Sequence, residues 1–146
     1  MHDEERESRL PHFSLTRDIL SCCFEVMNEL GPGFQERVYK NALLIAAKQQ
    51  GLEVEVEKPF GVTFRNKLIG QYSADLVIEK TVIVELKCCE RLIGEHQAQL
   101  FNYLKVSGLP VGLLVNFRRR RLEYQRLHQS EVLRTEEGAV GGTISV

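Results

Sequence analysis

Three charged side chains lie at the outer ends of two apolar runs in the stretch 75–87. Asp75 precedes the run Leu-Val-Ile, and Glu85 and Lys87 follow a run of β-branched residues. Residues i and i+2 of a strand share a face, so Glu85 and Lys87 should point the same way. Charges are rarely left inside a buried sheet unless they are paired or hold a metal. The sequence thus predicts either a metal-binding group of carboxylates with a nearby ammonium, or a salt-bridged strand facing solvent.

A tight hairpin would bring these residues together. The polar pair Glu79-Lys80 separates Val77-Ile78 from the apolar run 81–84. β-Branched residues on both sides of a polar pair predict two antiparallel strands. With the turn centred on this pair, Asp75 is expected opposite Val84 and beside Glu85.

Three amphipathic helices accompany the hairpin. Apolar residues recur at helical spacing over 16–30, where Gly31-Pro32-Gly33 ends the helix, and again over about 35–50 and 95–107. His96, Gln99 and Tyr103 share one face of the third helix and could overlook the carboxylates. The alternative is that this polar stripe faces solvent. Glu36 begins the second helix, where the helix dipole alone would favour a carboxylate.

The remaining segments predict further strands around the hairpin. Residues 52–57 alternate between apolar and acidic side chains, which is typical of a half-exposed strand. A second hairpin is expected around the polar turn 65–67. The apolar run 110–117 predicts a strand buried on both faces, and an edge strand is expected through Leu122 and Tyr124. The order of elements predicts an α/β sandwich, with one mixed sheet flanked by helices.

Composition predicts one domain with no global attraction to nucleic acid. The chain has 146 residues and a net charge of -1, so any nucleic-acid surface must come from local clustering. The adjacent pairs Cys22-Cys23 and Cys88-Cys89 suit neither a disulfide framework nor a zinc site, and they favour a reduced, cytoplasmic protein. No signal peptide or membrane-crossing run is visible. We expect a mobile arm over 1–13, a folded domain over 14–129 and a flexible tail over 130–146.

Several motifs together resemble a known superfamily. Asp75 followed by Glu85-x-Lys87 resembles the D…(D/E)xK signature of the PD-(D/E)xK, or restriction-endonuclease-like, nucleases. Gln99 to Tyr103 is similar to the QxxxY element of the RecB-type exonuclease branch, and Gly33-x-x-Glu36-x-x-Tyr39 to the motif of the GxxExxY family. The resemblance covers roughly 15–127. Ala74 replaces the signature proline, and the basic run Arg118–Arg121 stands where a less basic turn would be expected.

The resemblance implies a restriction-endonuclease-like fold and a role for each matching residue. Asp75, Glu85 and the main-chain carbonyl of Leu86 would hold Mg²⁺ or Mn²⁺, ions that prefer oxygen ligands. Glu36 would be an outer carboxylate, on a ligand water or a second ion. The other expected site residues are as follows: Lys87 would orient or help to deprotonate the attacking water, Gln99 would anchor the site, and Tyr103 would brace it or touch the substrate backbone.

A metal-dependent nuclease acting on DNA is the function that this resemblance implies. Arg118, Arg119, Arg120 and Arg121 would contact phosphates, or else form a solvated basic turn. The alternative function is a nucleic-acid-binding or protein-interaction module on the same fold with little or no hydrolysis, which the near-neutral charge favours. Expected partners are nucleic acid and no membrane, with a second copy of the chain as a candidate.

Overall fold

The computed structural model describes residues 10–129. They form three helices and five strands: α1 (Phe13–Leu30), α2 (Glu36–Gln49), β1 (Val54–Phe64), β2 (Lys67–Ile78), β3 (Val82–Lys87), α3 (Gly94–Ser107), β4 (Val111–Asn116) and β5 (Glu123–His128). No helix of this described range is long and apolar enough to span a bilayer. The expected tail lies outside the described residues, as does the expected arm up to residue 9. Residues 10–12 precede α1, and Phe13, the last residue of the expected arm, is the first residue of that helix.

The sheet is mixed and has β3 at its centre. Its spatial order is β1-β2-β3-β4-β5, with β3 and β4 parallel and the other neighbours antiparallel. The segment between β3 and β4 contains α3, as a parallel connection requires. The prediction of an α/β sandwich with the Asp75–Lys87 hairpin near its centre is confirmed.

Helices cover both faces of this sheet and define two apolar layers. α1 and α2 pack on the face that carries Leu76, Val84 and Leu86. α3 packs on the other face, against Val77, Ile83 and Leu114. Leu100 and Leu104 of α3 are fully buried, which agrees with the expectation that this side of the helix docks on the sheet.

Two details of the strands differ from the sequence-based expectation. The alternating segment 52–57 and the following hairpin strand form one continuous strand, β1, which passes through Pro59. Proline is tolerated there because β1 is an edge strand. The pairing Leu76↔Val84 shows that the expected partner of Asp75 was wrong by one residue. The register differs because the loop between β2 and β3 has three residues and not two. Thr81 is the third of them: its N–H donates to Ile78 O (3.0 Å), and it lies outside the ladder.

Candidate active site

Asp75 lies where the pairing of β2 is irregular on both sides. Pairing with β1 passes from Val56↔Leu76 to Lys58↔Ala74 and skips Asp75, and pairing with β3 ends at Leu76. The side-chain alternation is also interrupted, since Ala74 packs with the α3 layer whereas Leu76 packs with the α1–α2 layer. Opposite this point Glu57 has a positive φ of 49°. The pairing of β2 is therefore interrupted at Asp75 on the side of β1 and ends before it on the side of β3.

The two carboxylates connect β2 and β3 beyond the last strand pair through reciprocal hydrogen bonds. The main-chain N–H of Asp75 donates to Glu85 Oε1 (3.0 Å), and the N–H of Leu86 donates to Asp75 Oδ2 (3.0 Å). Side-chain oxygens thus accept from main-chain donors beyond the end of the ladder. These hydrogen bonds hold both carboxylates at the point where the pairing of β2 with β3 ends.

Glu85 is placed where its charge is costly. Its side chain is only 5% exposed. Burial, and then the negative charge of Asp75, raise the pKa of Glu85 to about 8, and the nearby Lys87 opposes this rise. Two carboxylates that lie close together in a buried position repel each other, and a bound cation would offset this repulsion.

α3 supplies the polar partners that the sequence placed on one face. Gln99 Oε1 accepts a hydrogen bond from Lys87 Nζ (3.1 Å), which ties the ammonium to α3. Tyr103 is buried, and its pKa is raised to about 12 by burial and by the charges of Glu85 and Asp75. Its ring meets the ring of Tyr72 edge-on at 5.2 Å. His96 shares this face, but its Nδ1 accepts from the N–H of Ile93 at the start of the helix (3.0 Å).

A cleft of about 550 Å³ opens in front of Asp75 and Leu86. Glu36 lines it from the start of α2, and its Oε1 accepts from the N–H of Cys88 (3.2 Å). Tyr39 fixes the loop before α2, because its hydroxyl donates to Gly31 O (2.7 Å) and accepts from Phe34 N–H (3.2 Å). The Gly-x-x-Glu-x-x-Tyr spacing therefore places a carboxylate at the cleft and a buried tyrosine behind it.

The donor set fits a hard divalent cation. Asp75, Glu85 and the Leu86 carbonyl would supply oxygen ligands, which Mg²⁺ and Mn²⁺ prefer, with waters completing the shell. Residues 10–129 contain no group of three or more His, Cys, Asp or Glu side chains able to share an ion. The predicted place of Glu36 is an outer position, on a ligand water or a second ion. These assignments remain predictions.

The arginine run forms an exposed turn after β4, at the same end of the sheet as Lys87. Arg118 lies at a second groove that adjoins Cys88. The guanidinium of Arg119 donates to Glu90 O (2.6 Å), which ties the turn to the segment between β3 and α3. The run therefore borders the site, while its contact with phosphates remains a prediction.

Sequence reasoning missed residues that position the site. Asn116 is 3% exposed and binds both main-chain groups of Cys89, accepting from its N–H (3.1 Å) and donating to its carbonyl (2.9 Å). Glu123 accepts from the N–H of Leu92 (2.8 Å) and from Asn116 Nδ2 (3.2 Å). The sequence did contain a signal for Asn116, which is a polar residue at the end of an apolar run. Lys40 was also missed, although it is i+4 from Glu36 on α2; it lines the cleft and pairs with Glu57 (2.7 Å).

Comparisons with known proteins agree with this geometry. The family model of the PD-(D/E)XK nuclease superfamily matches residues 14–127. The chain therefore belongs to the PD-(D/E)XK nuclease superfamily, the class that the fold and the carboxylate pair define.

Among solved structures, one titled "Crystal structure of SSO0001" is similar, with a TM-score of 0.52 and 21% sequence identity. The match covers 70% of this chain and 56% of that chain, so the chain spans little more than half the length of its structural neighbour. At this identity the likeness shows the fold alone. A comparison with curated proteins finds no match.

Proposed function

We propose that the protein is a Mg²⁺- or Mn²⁺-dependent nuclease that hydrolyses phosphodiester bonds, with DNA as its substrate. One observation carries the proposal: the carboxylates of Asp75 and Glu85 each accept a hydrogen bond from a main-chain N–H of the other strand, and the charge of Lys87 acts on Glu85. Resemblance to the GxxExxY family and to the RecB-type branch supports it. The unpaired state of all four cysteines is in keeping with the expectation of a cytoplasmic protein.

The chain's own residues suit this chemistry. When bound, the cation would stabilise charge on the phosphate and lower the pKa of a water molecule. Lys87 would orient the attacking water and offset the negative charge that builds on the phosphate. Gln99 fixes the position of Lys87 through the 3.1 Å hydrogen bond. Tyr103 would brace this arrangement from α3.

A cleavage assay with a metal-binding control tests the proposal. Wild type and Lys87→Ala are incubated with single- and double-stranded DNA and RNA in Mg²⁺ or Mn²⁺. Wild type should cleave, whereas Lys87→Ala should lose at least about 100-fold in rate because a group that assists proton transfer is gone. Its Mn²⁺ affinity should be largely unchanged, since Lys87 is not a ligand. Lys105→Ala at the far end of α3 is the matched control.

A wild type that binds Mn²⁺ and nucleic acid without cleaving any substrate would contradict hydrolysis. The binding-module alternative would then take its place, and the net charge of -1 is in its favour.

The arginine run would supply sequence-independent affinity for the nucleic-acid backbone. Arg120→Ala/Arg121→Ala is the variant of choice, because Arg119 has a structural partner in Glu90 O. Binding should weaken for all sequences alike, and the slope of log affinity against log salt should flatten by about 1.5 as two phosphate contacts are lost. Arg17→Ala/Lys48→Ala removes two exposed cations from α1 and the far end of α2 and should leave the slope unchanged. Equal slopes for the two double variants would make the run a solvated turn.

A further inference from the structure

A second groove continues the candidate active-site cleft. It has a volume of about 350 Å³ and shares Cys88 with the cleft. Its lining comes from the loop before α2 and from the end of β4: Pro32, Gly33, Phe34, Cys88, Phe117 and Arg118. A strand bound at Asp75 can therefore extend past Cys88 into this groove without leaving the surface.

Phe34 presents an aromatic ring in the groove. Its side chain is 47% exposed although it is large and apolar. The residue is nevertheless fixed, because its N–H donates to Tyr39 Oη (3.2 Å) and its carbonyl accepts from Cys88 Sγ (3.8 Å). The ring also meets Tyr39 edge-on at 6.1 Å, and Tyr39 in turn stacks on Phe117 at 5.0 Å. An exposed ring on a rigid support is what base stacking requires.

Arg118 brings a positive charge to the same groove. Its main-chain N–H donates to Asn116 Oδ1 (3.2 Å), which fixes the backbone at this point. The side chain is exposed, and within residues 10–129 it takes part in none of the ion pairs. A guanidinium in this position matches a phosphate in charge and in hydrogen-bonding geometry. The groove thus combines one stacking surface with one cation.

We propose that Phe34 and Arg118 form a subsite for an unpaired nucleotide of the substrate strand, with the base stacked on Phe34 and a phosphate bound by Arg118. This inference rests on the proposed function, since the strand in the cleft is taken to be the substrate. A paired base has both faces covered by its neighbours in the duplex, so its face is available only in single-stranded or frayed nucleic acid. The subsite therefore selects single strands or strand ends over intact duplex.

Fluorescence of 2-aminopurine tests the stacking directly. The base is moved one position at a time along a single-stranded oligonucleotide, and Lys87→Ala protein with Mn²⁺ keeps the strand intact. One position should be strongly quenched on binding, and Phe34→Leu should abolish that quenching and weaken binding about fivefold or more. Phe34→Tyr keeps an aromatic ring and should retain the quenching.

Phe24→Leu is the matched control. Phe24 is also exposed, at 42%, and also meets a tyrosine edge-on, but it lies on α1 outside both grooves. Arg118→Ala should flatten the salt slope of single-strand binding by about 0.7, the value for one phosphate contact. Binding to a closed circular duplex, which has no strand ends, should be the same for Phe34→Leu and Phe24→Leu.

The outcomes separate this inference from the function on which it rests. If Phe34→Leu matches Phe24→Leu in both affinity and quenching while wild type cleaves DNA, the subsite is wrong and the nuclease stands. If quenching depends on Phe34 but wild type cleaves no substrate, the subsite stands and hydrolysis is wrong.

Discussion

At the scale of the residue, the decisive feature is that two carboxylates accept hydrogen bonds that strand partners accept elsewhere in the sheet. Asp75 and Glu85 accept from main-chain N–H groups that the interrupted ladder leaves without strand partners. Side chains that satisfy the backbone are held in one geometry, and here that geometry brings two negative charges together. The same hydrogen bonds therefore complete the sheet and prepare the proposed metal site.

Replacement of Asp75 by asparagine separates these two roles. Asparagine keeps an oxygen that can accept from Leu86 N–H but removes one charge. Asp75→Asn should weaken Mn²⁺ binding by about tenfold or more and abolish cleavage. The metal-free protein should be as stable as wild type or more so, because repulsion with Glu85 is gone. Calorimetric titration and thermal melting measure both effects, with Asp18→Asn on α1 as the control. Undiminished Mn²⁺ affinity would rule Asp75 out as a ligand.

At the scale of the element, the position of α3 decides where Gln99 and Tyr103 meet the carboxylates. The helix approaches β4 closely at Gly112, where an added Cβ would lie 2.9 Å from three carbons of the Leu100 side chain. Glycine is needed here because Leu100 occupies the space above the strand. This contact between Leu100 and Gly112 determines the distance between α3 and the sheet.

Gly112→Ala should therefore move α3 or strain Leu100. We expect a loss of about 1–3 kcal/mol in the free energy of unfolding, the usual cost of overpacking a core, together with reduced cleavage. Chemical denaturation measures the first effect. Gly94→Ala, at the exposed start of α3, meets open space and should cost little. If Gly112→Ala were as stable and active as Gly94→Ala, the position of α3 would not depend on this contact.

Periodicity in the sequence predicted the three helices, the order of the strands and the central hairpin. It could not predict the register of that hairpin, because the place of Thr81 outside the ladder depends on the turn conformation at Glu79-Lys80, where both residues have positive φ. Nor could it predict the interruption at Asp75, which needs a coordinated distortion of Glu57 on another strand. The proximity of Phe34 to Arg118 arises only when the α1–α2 loop meets the end of β4, a tertiary contact without a local signal.

At the scale of the whole molecule, the free energy of unfolding depends on the protonation of Glu85. The unfolded chain releases the Glu85 proton near the ordinary pKa of 4.5, whereas the folded protein holds it up to about pH 8 because of burial and the charge of Asp75. Between these values the folded state binds more protons than the unfolded state. The free energy of unfolding must therefore decrease as pH rises through this window, and the contribution of Glu85 is fully favourable only below it.

We expect the melting temperature of the metal-free protein to fall between pH 5 and pH 8 more steeply than that of Glu85→Gln, which cannot release this proton. Glu29→Gln, which changes an exposed carboxylate on α1, should follow wild type. Mn²⁺ binds the deprotonated site of the folded state, so it should raise the melting temperature most at pH 8 and leave Glu85→Gln nearly unaffected. Thermal melts of the three proteins with and without millimolar Mn²⁺ measure all of these effects. Parallel pH profiles for wild type and Glu85→Gln would show that Glu85 titrates normally, and an equal Mn²⁺ shift in both would place the ion away from the carboxylate pair.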